Sequence, residues 1–303
     1  MHWFRKLNQS PSDDYVPRLI QGESIPKIIH QTFPTKDLPL KLRANVESIR
    51  HRNPDYQWTL YDDEQIADFI GRHYSRRVLD LYLKINPGYG AARADLFRYL
   101  CIYRLGGVYL DIKSTTTKPL HSVLRGDDRF ILAQWGADVA GGRYSAWGRH
   151  KALEHVAGGE YQQWHVISVS GHPFLRAVIN QVLSNIERYN PFLHGSGSSG
   201  VVHTTGPVAY TLAISAIRCQ HSHRQVDIEK DLGIKYSTFP SDADSSHHNQ
   251  FKNHYSSRID SVVQVGKPWE SVYLSMNRTH WKLRSGLRDY RLARRLKNLM
   301  FGK

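Results

Sequence analysis

The sequence predicts an α/β fold with a mostly parallel β-sheet flanked by helices. Three observations support this prediction. Short β-branched or apolar segments alternate with segments of helical periodicity, a Gly-Gly pair separates the best-defined helix from the strand after it, and 303 residues are enough to bury a large core. Hydrophobic residues make up 40% and charged residues 22% of the chain, a balance typical of globular rather than disordered proteins.

Strands and helices alternate through the first third of the chain. Residues 57–61 alternate as a half-buried strand does, and residues 38–52 carry apolar side chains at helical spacing. The predicted elements are, in chain order, a strand at 25–33, a helix at 38–52, a strand at 57–61, a helix capped by Asp62 and Asp63, a helix at 78–85, a helix at 90–105 and a strand at 108–112. Strands connected through helices pair in parallel, which favours a parallel sheet.

The helix at 90–105 has the clearest boundaries in the sequence. Leu96 and Leu100 lie on one apolar face, and Gly106-Gly107 ends the helix as a left-handed cap would. The strand at 108–112 follows directly, so Asp111 is expected at the carboxyl end of a strand.

Later segments extend the α/β pattern. We predict strands at 130–133 and 166–170, a helix from 173 to about 188, a flexible segment at 195–200, a helix at 208–219 and a loop at 241–253. The predicted organisation is an N-terminal extension at 1–24, one α/β domain at 25–280 with C-terminal helical additions, and a basic amphipathic helix at 281–303. We interpret the following tryptophans as core residues: Trp135, Trp147, Trp164 and Trp269.

The chain is strongly basic. It has 41 Lys and Arg against 27 Asp and Glu, a formal net charge of +14, which suits nucleic acid, an anionic membrane or a phosphate-bearing substrate. No segment approaches the roughly 18–20 apolar residues of a membrane span, so we expect no integral membrane protein, and the N-terminus lacks the apolar core of a signal peptide. Cys101 and Cys219 have apolar neighbours and are expected to be buried thiols, which fits a cytoplasmic protein.

The segment 281–303 interleaves leucines with arginines. Helical wrapping places the leucines and most of the arginines on different sides, a pattern that suits contact with an anionic membrane surface. The alternative is a helix packed on the main domain with a solvated basic face. The first interpretation predicts a cytoplasmic protein bound peripherally to the cytoplasmic face of a membrane.

Three charged residues form the densest candidate site. Asp95 and Arg98 are three residues apart on one helix and therefore project to one side, and Asp111 ends the next strand. Ligands of open α/β sheets bind at the carboxyl ends of strands, where an acid beside an Asp–Arg pair could hold a sugar hydroxyl, a ribose or a metal ion. The alternative is a solvated ion pair on a helix surface.

Several motifs in order resemble one known family. They are Ile25 to Gln31, Asn53-Pro54-Asp55-Tyr56, Arg93 to Tyr99, Gly106 to Asp111 and Thr205-Gly206-Pro207. This pattern resembles the DXD-containing glycosyltransferases that include initiating α-1,6-mannosyltransferases and capsule and lipopolysaccharide transferases. The resemblance implies a GT-A fold, a nucleotide-sugar donor such as a UDP- or GDP-hexose, and transfer that retains the anomeric configuration.

The resemblance also implies roles for individual residues. Phe33 would stack on the nucleotide base, Asp95 and Arg98 would bind donor hydroxyls, and Asp111 would bind the ribose or a metal ion. The full set expected at the donor is Gln31, Phe33, Arg93, Asp95, Arg98, Tyr109 and Asp111. The expected catalytic residues are Asp95, Arg98, Asp111 and Lys113.

Lys113 departs from the family motif, because it stands where relatives have the second acid of DXD. In relatives that acid binds a divalent cation. A charged lysine cannot bind a metal, but its ammonium could neutralise the diphosphate directly. In the alternative, Mn²⁺ or Mg²⁺ is held by Asp111 with a histidine of the C-terminal part, the candidates being His247, His248 and His254.

The sequence therefore predicts a glycosyltransferase that moves a hexose from a nucleotide-sugar to a saccharide or lipid-linked acceptor in surface polysaccharide or glycan synthesis. The alternatives are a toxin-like protein glycosyltransferase and a non-catalytic protein that binds nucleotide-sugars or nucleic acid. We expect no nucleic acid partner, because the motifs point to a donor site instead.

Overall fold

A computed structural model describes residues 7–8, 14–136, 147–239 and 258–277. The strands are β1 (Ile28–Thr32), β2 (Gln57–Tyr61), β3 (Gly107–Leu110), β4 (Thr115–Thr116), β5 (Ile131–Ala133), β6 (His165–Ser168), β7 (Arg224–Val226) and β8 (Ile234–Lys235). The helices are α1 (Leu40–Arg52), α2 (Asp63–His73), α3 (Arg76–Lys84), α4 (Gly90–Leu105), α5 (Leu120–Val123), α6 (Pro173–Glu187), α7 (Pro191–His194), α8 (Gly197–Thr204), α9 (Pro207–Ser215) and α10 (267–277).

The main sheet has the strand order β2-β1-β3-β6. β1 pairs in parallel with β2 and β3, and β6 pairs with β3 in the antiparallel direction. Ile29 of β1 lies between Trp58 of β2 and Val108 of β3. Two small sheets, antiparallel β4–β8 and parallel β5–β7, accompany it. The predicted α/β class with a mostly parallel sheet is therefore confirmed.

The helix between β2 and β3 that packs most deeply is α4. All residues from Asp95 to Tyr103 are buried, because α4 packs against both α6 and β6 as well as α2. A helix buried on several sides needs apolar residues around most of its circumference, and α4 has them at Leu96, Phe97, Leu100 and Ile102. Asp95 and Arg98 are consequently polar groups held inside the protein.

Gly106 and Gly107 make the turn from α4 into β3. Their φ angles are 69° and 102°, which L-residues with side chains rarely adopt. A Cβ on Gly107 would lie 2.7 Å from the carbonyl oxygen of Ile28, on the neighbouring strand β1. The pair thus allows β3 to start beside β1, and it confirms the predicted glycine cap.

His30 connects β1, β2 and the end of α4 from inside the core. One ring nitrogen, Nε2, lies 3.1 Å from the carbonyl oxygen of Gly106, and the other, Nδ1, lies 3.1 Å from the hydroxyl of Tyr61. The carbonyl can only accept, so Nε2 carries the proton and the Tyr61 hydroxyl donates to Nδ1. Burial lowers the pKa of His30 to about 4, so the ring is neutral at pH 7.

Several expectations are wrong. Trp269, interpreted as a core residue, is 66% exposed, because it lies on the side of α10 that also exposes Val272 and Met276. Residues 195–200, expected to be flexible, lead into α8, because Gly200 packs so closely on Val262 that a Cβ would approach it to 2.7 Å. This tertiary contact outweighs the low helix propensity of glycine. Cys219 is exposed, whereas Cys101 is buried as expected, since the segment after α9 lies at the surface.

Some expectations concern residues outside the described part of the chain. They are the loop at 241–253 with His247 and His248, the neighbouring His254, and the basic segment at 281–303. The domain boundaries at 24 and 280 also stay predictions. Within the described residues, none of the helices is both long and apolar enough to cross a membrane.

Candidate functional site

The candidate site lies at one edge of the main sheet. Because β1 and β3 are parallel, Phe33 and Asp111, which follow them, emerge at the same edge. β6 runs in the opposite direction, so the residues just before it, Gln163 and Trp164, reach this edge as well. The backbone N–H of Asp111 donates to the carbonyl oxygen of Trp164 over 2.9 Å, which joins the two segments.

Arg98 stands at the centre of this edge. Its Nη2 lies 3.0 Å from Oδ1 of Asp95 and 3.1 Å from Oδ1 of Asp111. Its Nη1 donates to the carbonyl oxygen and to Oε1 of Gln163, at 2.6 and 2.8 Å. We call Arg98, Asp95, Asp111 and Gln163 the Arg98 centre. A planar guanidinium with this many partners is fixed in one orientation.

Asp95 is held from three sides within the Arg98 centre. Besides Arg98, it accepts a hydrogen bond from Nε2 of Gln163 at 3.2 Å and one from the Thr205 hydroxyl at 2.9 Å. The side chains of Asp95 and Arg98 are each 4% exposed. The alternative interpretation, a solvated ion pair on a helix surface, is therefore excluded. Burial raises the pKa of the Asp95 carboxyl, although Arg98 and Thr205 act in the opposite direction.

Burial also acts against the charge of the Arg98 guanidinium. The opposing effect of Asp111, Tyr109 and Asp95 is larger and holds the pKa of Arg98 above its ordinary value. Asp111 differs from its two partners because 24% of its side chain is exposed. The centre therefore consists of a buried ion pair that fixes one carboxylate at the surface of the site.

Lys113 lies two residues beyond Asp111. Its Nζ donates to the hydroxyl of Tyr236 over 2.6 Å and lies 4.0 Å from the centroid of that ring. Burial lowers the pKa of the Lys113 ammonium to about 8, against the charge of Asp111, which raises it. The direct partner of this ammonium is thus a neutral phenol rather than a carboxylate.

The resemblance to DXD-containing glycosyltransferases implies a divalent cation at the donor site. No group of three or more His, Cys, Asp or Glu side chains suited to a metal ion occurs in the described segments of the chain. Asp111 is paired with Arg98, and Lys113 cannot be a ligand while it is charged. The described residues therefore do not fit a metal ion, and His247, His248 and His254 lie outside them.

Of the other residues predicted to bind the donor, Tyr109 and Gln31 lie next to the Arg98 centre. Tyr109 is fully buried beneath Arg98, with the guanidinium carbon 4.9 Å from the ring centroid. Gln31 lies under Asp111, with Nε2 3.4 Å from its carbonyl oxygen, and Oε1 accepts from the Trp58 indole at 2.9 Å. Both residues position the site from below, and their contact with a donor stays a prediction.

Phe33 and Arg93 lie farther from these contacts. Phe33 is partly buried and packs against the small apolar cluster around α1, at the carboxyl end of β1 where a base could reach it. Arg93 donates from Nε and Nη2 to the carbonyl oxygen of Ile85, at 3.1 and 2.9 Å, at the end of α3. The hydrogen bonds of Arg93 are therefore structural, and its contact with a donor stays a prediction.

Three residues of the site were not identified from the sequence. Thr205 begins the Thr-Gly-Pro motif, which the sequence does show, but nothing in the sequence indicates that this residue contacts Asp95. Gln163 and Tyr236 stand in no recognisable pattern and reach the site only through the fold.

Residues 39–131 match the family model described as a glycosyltransferase sugar-binding region containing the DXD motif. The inositol phosphoceramide mannosyltransferase 3 of Schizosaccharomyces pombe is 30% identical over 201 residues, which cover 65% of this chain and 47% of the relative. The initiation-specific alpha-1,6-mannosyltransferase of Candida albicans is 27% identical over 169 residues, 54% of this chain and 43% of that protein. The solved structure of the PaToxG glycosyltransferase aligns over 64% of this chain and 70% of its own, with a TM-score of 0.46 and 18% identity.

The family model and the mannosyltransferase relatives confirm the resemblance to DXD-containing glycosyltransferases that the motifs indicate. The toxin-like and non-catalytic alternatives are not favoured by relatives whose names describe mannosyltransferases. The chain spans about half the length of the curated relatives it matches, 47% and 57% of the first two.

Proposed function

We propose that this chain, which carries the sugar-binding region of the DXD-containing glycosyltransferases at residues 39–131, transfers a hexose from a nucleotide-sugar to a saccharide or lipid-linked acceptor. The observation that supports this most is the Arg98 centre, because it presents the carboxylate of Asp111 at the carboxyl ends of parallel strands. The names of the relatives make mannose the first hexose to test, with GDP-mannose as the donor.

In this proposal the residues of the Arg98 centre have different tasks. Asp111 has the exposed carboxylate and accepts hydrogen bonds from hydroxyls of the donor. Asp95 is engaged by Arg98, Gln163 and Thr205, so it orients the guanidinium. Groups that are fixed before the substrate arrives need no reorganisation during the reaction, and this lowers the barrier.

Lys113 supplies positive charge to the departing nucleotide. The leaving diphosphate gains negative charge as the bond to the anomeric carbon breaks, and an ammonium nearby stabilises that charge. Arg98 is already shared by two carboxylates, whereas Lys113 contacts a neutral phenol and keeps its charge available. As the bond between the anomeric carbon and the diphosphate oxygen breaks, the acceptor hydroxyl bonds to that carbon from the same face and gives its proton to the departing phosphate oxygen, which retains the anomeric configuration.

The competing proposal keeps a divalent cation, Mn²⁺ or Mg²⁺, with Asp111 and one of the histidines His247, His248 and His254 as ligands. Oδ1 of Asp111 already contacts Arg98, so the metal ion would bind through the other carboxylate oxygen. The pairing of Asp111 and the identity of Lys113 both favour the metal-independent form.

For the acceptor we propose a lipid-linked saccharide or headgroup at a membrane surface. Helix α10 exposes Trp269, Val272 and Met276, which share one helical face because they are three and four residues apart. Phe192 of α7 is also exposed and packs on Tyr273 of α10, with ring centroids 5.3 Å apart, so the apolar surface continues onto α7.

An apolar face of this kind suits insertion into the interfacial region of a bilayer, and the basic segment 281–303 would add attraction to anionic lipid. We propose a cytoplasmic protein that contacts the membrane peripherally in this way. Co-sedimentation with vesicles should increase with anionic lipid and fall for Trp269→Ser. The control Leu40→Ser changes an exposed apolar residue on α1 and should sediment as the wild type does; equal loss in both variants would argue against the α10 face.

The transferase proposal is tested by hydrolysis of a panel of UDP- and GDP-sugars by the purified protein. We expect cleavage of one donor, GDP-mannose first, and a loss of about 10²- to 10³-fold in kcat for Asp111→Asn. A thermal shift with UDP or GDP provides a second readout. If no donor is cleaved and neither nucleotide shifts the Tm, the transferase proposal is wrong.

A further inference from the structure

Four aromatic side chains pack edge-to-face in one cluster beside Lys113. We call Trp135, Trp147, Trp164 and Tyr236 the aromatic wall. The centroid of Tyr236 lies 5.3, 5.6 and 5.5 Å from those of Trp135, Trp147 and Trp164, and Trp135 lies 5.0 Å from Trp147. Trp135 and Trp164 are buried as expected, but Trp147, interpreted as a core residue from the sequence, is 42% exposed. The wall thus extends from the core to the surface.

The aromatic wall is continuous with the proposed donor site. Lys113 donates to the hydroxyl of Tyr236, and the backbone of Trp164 accepts from Asp111. A ligand that lies on the wall would therefore be next to the ammonium proposed to hold the diphosphate. The acceptor of a transferase has to bind beside the bond that breaks, and a ligand on the wall would be in that place.

Trp135, the buried member of the wall behind Trp147, is held in place by polar and backbone contacts. The indole nitrogen of Trp135 donates to Oε1 of Glu160 over 2.5 Å, and Oε2 of Glu160 lies 2.7 Å from Nε2 of His150. Gly148, with φ of 73°, passes so close that a Cβ there would lie 2.8 Å from Cδ1 of Trp135 and 2.7 Å from Cγ of Glu160. A fixed aromatic surface binds a ligand without first losing side-chain freedom.

The geometry points to this wall as the acceptor subsite, where the exposed ring of Trp147 stacks on the apolar C–H face of a hexopyranose ring, and Tyr236, which meets Trp147 edge-on at 83°, borders the sugar. This inference rests on the proposed function. The negative face of an aromatic ring attracts the weakly positive C–H groups of such a face. Sites for small ligands combine aromatic walls with a few polar groups, and here the half-buried His150 supplies one at the rim.

The first test compares transfer with donor hydrolysis, using methyl α-D-mannopyranoside as the acceptor probe. For Trp147→Ala we expect the ratio of transfer to hydrolysis to fall about five- to ten-fold, mainly through a higher KM for the acceptor. Trp147→Phe should recover part of the loss, because it keeps an aromatic face. Leu83→Ala is the control, since Leu83 on α3 is 43% exposed and should have the wild-type ratio.

The second test measures binding without any reaction. Saturation-transfer NMR of methyl α-D-mannopyranoside, with GDP present, should show C–H signals for the wild type and Leu83→Ala, and weak signals for Trp147→Ala. An unchanged acceptor KM or unchanged NMR signals in Trp147→Ala would overturn the acceptor subsite. Absence of donor cleavage by the wild type would instead overturn the proposed function, and the NMR comparison would still decide whether the wall binds a sugar.

Discussion

At the scale of single residues, charge explains why Lys113 matters. Asp95 and Asp111 share one guanidinium, so the Arg98 centre has one net negative charge, and Lys113 balances it. A donor diphosphate adds further negative charge, so the ammonium has to stay protonated when the donor binds. Burial places the pKa of Lys113 at about 8, close to physiological pH.

This pKa predicts a pH dependence. A lysine with a lowered pKa loses its proton as the pH rises through that value, so kcat/KM for donor cleavage should fall above pH of about 8. Lys113→Arg keeps its charge over this range and should flatten the alkaline limb even if the overall rate is lower. Profiles of kcat/KM between pH 6 and pH 10 for both proteins test this; identical alkaline limbs would assign the fall to another group.

Arg98 has a second, energetic consequence. Removal of a buried cation leaves its carboxylates uncompensated, so Arg98→Ala should lower the free energy of unfolding by about 3–5 kcal/mol. Arg72 forms an exposed ion pair with Asp68 on α2, at 2.9 Å, and Arg72→Ala should cost about 0–1 kcal/mol. Urea unfolding of the two variants provides the comparison, and equal losses would show that burial of the Arg98 pair does not matter to stability.

At the scale of elements, the turn from α4 to β3 sets the position of the site. Gly107→Ala forces a side chain into a left-handed backbone conformation and against the carbonyl of Ile28. We expect a loss of stability of about 1–3 kcal/mol or more. The measurement is urea unfolding, together with donor cleavage, since β3 carries Tyr109 and leads to Asp111.

Gly126→Ala is the matched control for this substitution. Gly126 lies in a turn with no positive φ angle, and a Cβ there meets no atom within 4 Å. The change should be neutral or slightly stabilising, because alanine restricts the unfolded chain. If Gly107→Ala were equally well tolerated, the turn would not depend on glycine.

Elements were easier to predict than contacts between them. The α4 periodicity, the Gly106-Gly107 end and the following strand are local signals, and the structure confirms each of them. Gln163 and Tyr236 reach the site from distant segments, so no local pattern reveals them. The α8 segment was mispredicted for the same reason. Its glycines indicate flexibility, whereas the contact of Gly200 with Val262, which stabilises the helix, is visible only in the fold.

At the scale of the whole molecule, the buried histidines predict sensitivity to acid. Burial lowers the pKa of His30, His165 and His172 to about 4, 3 and 4. The folded protein therefore binds fewer protons than the unfolded chain between pH 4 and 6.5, and stability falls as the pH falls through this range. Each of these histidines lowers the free energy of unfolding by about 2 kcal/mol at pH 5 relative to pH 7.

Urea unfolding at pH 7, 6 and 5 measures this loss. His172 caps α6, where its Nδ1 accepts from the N–H of Phe174 at 3.2 Å. Asparagine can make the same kind of cap without titrating, so His172→Asn should reduce the loss between pH 7 and 5 by about 2 kcal/mol. A loss of the same size in both proteins would mean that His172 is not neutral in the fold.

The central claim is that Lys113 supplies the charge that relatives obtain from a metal ion. Donor cleavage in the presence of a chelator, with and without added Mn²⁺, tests it most directly for the wild type and Lys113→Ala. We predict wild-type cleavage that resists the chelator and a fall of about 10²- to 10³-fold in Lys113→Ala. Cleavage that is lost with chelator, restored by Mn²⁺ and unaffected by Lys113→Ala would contradict the claim.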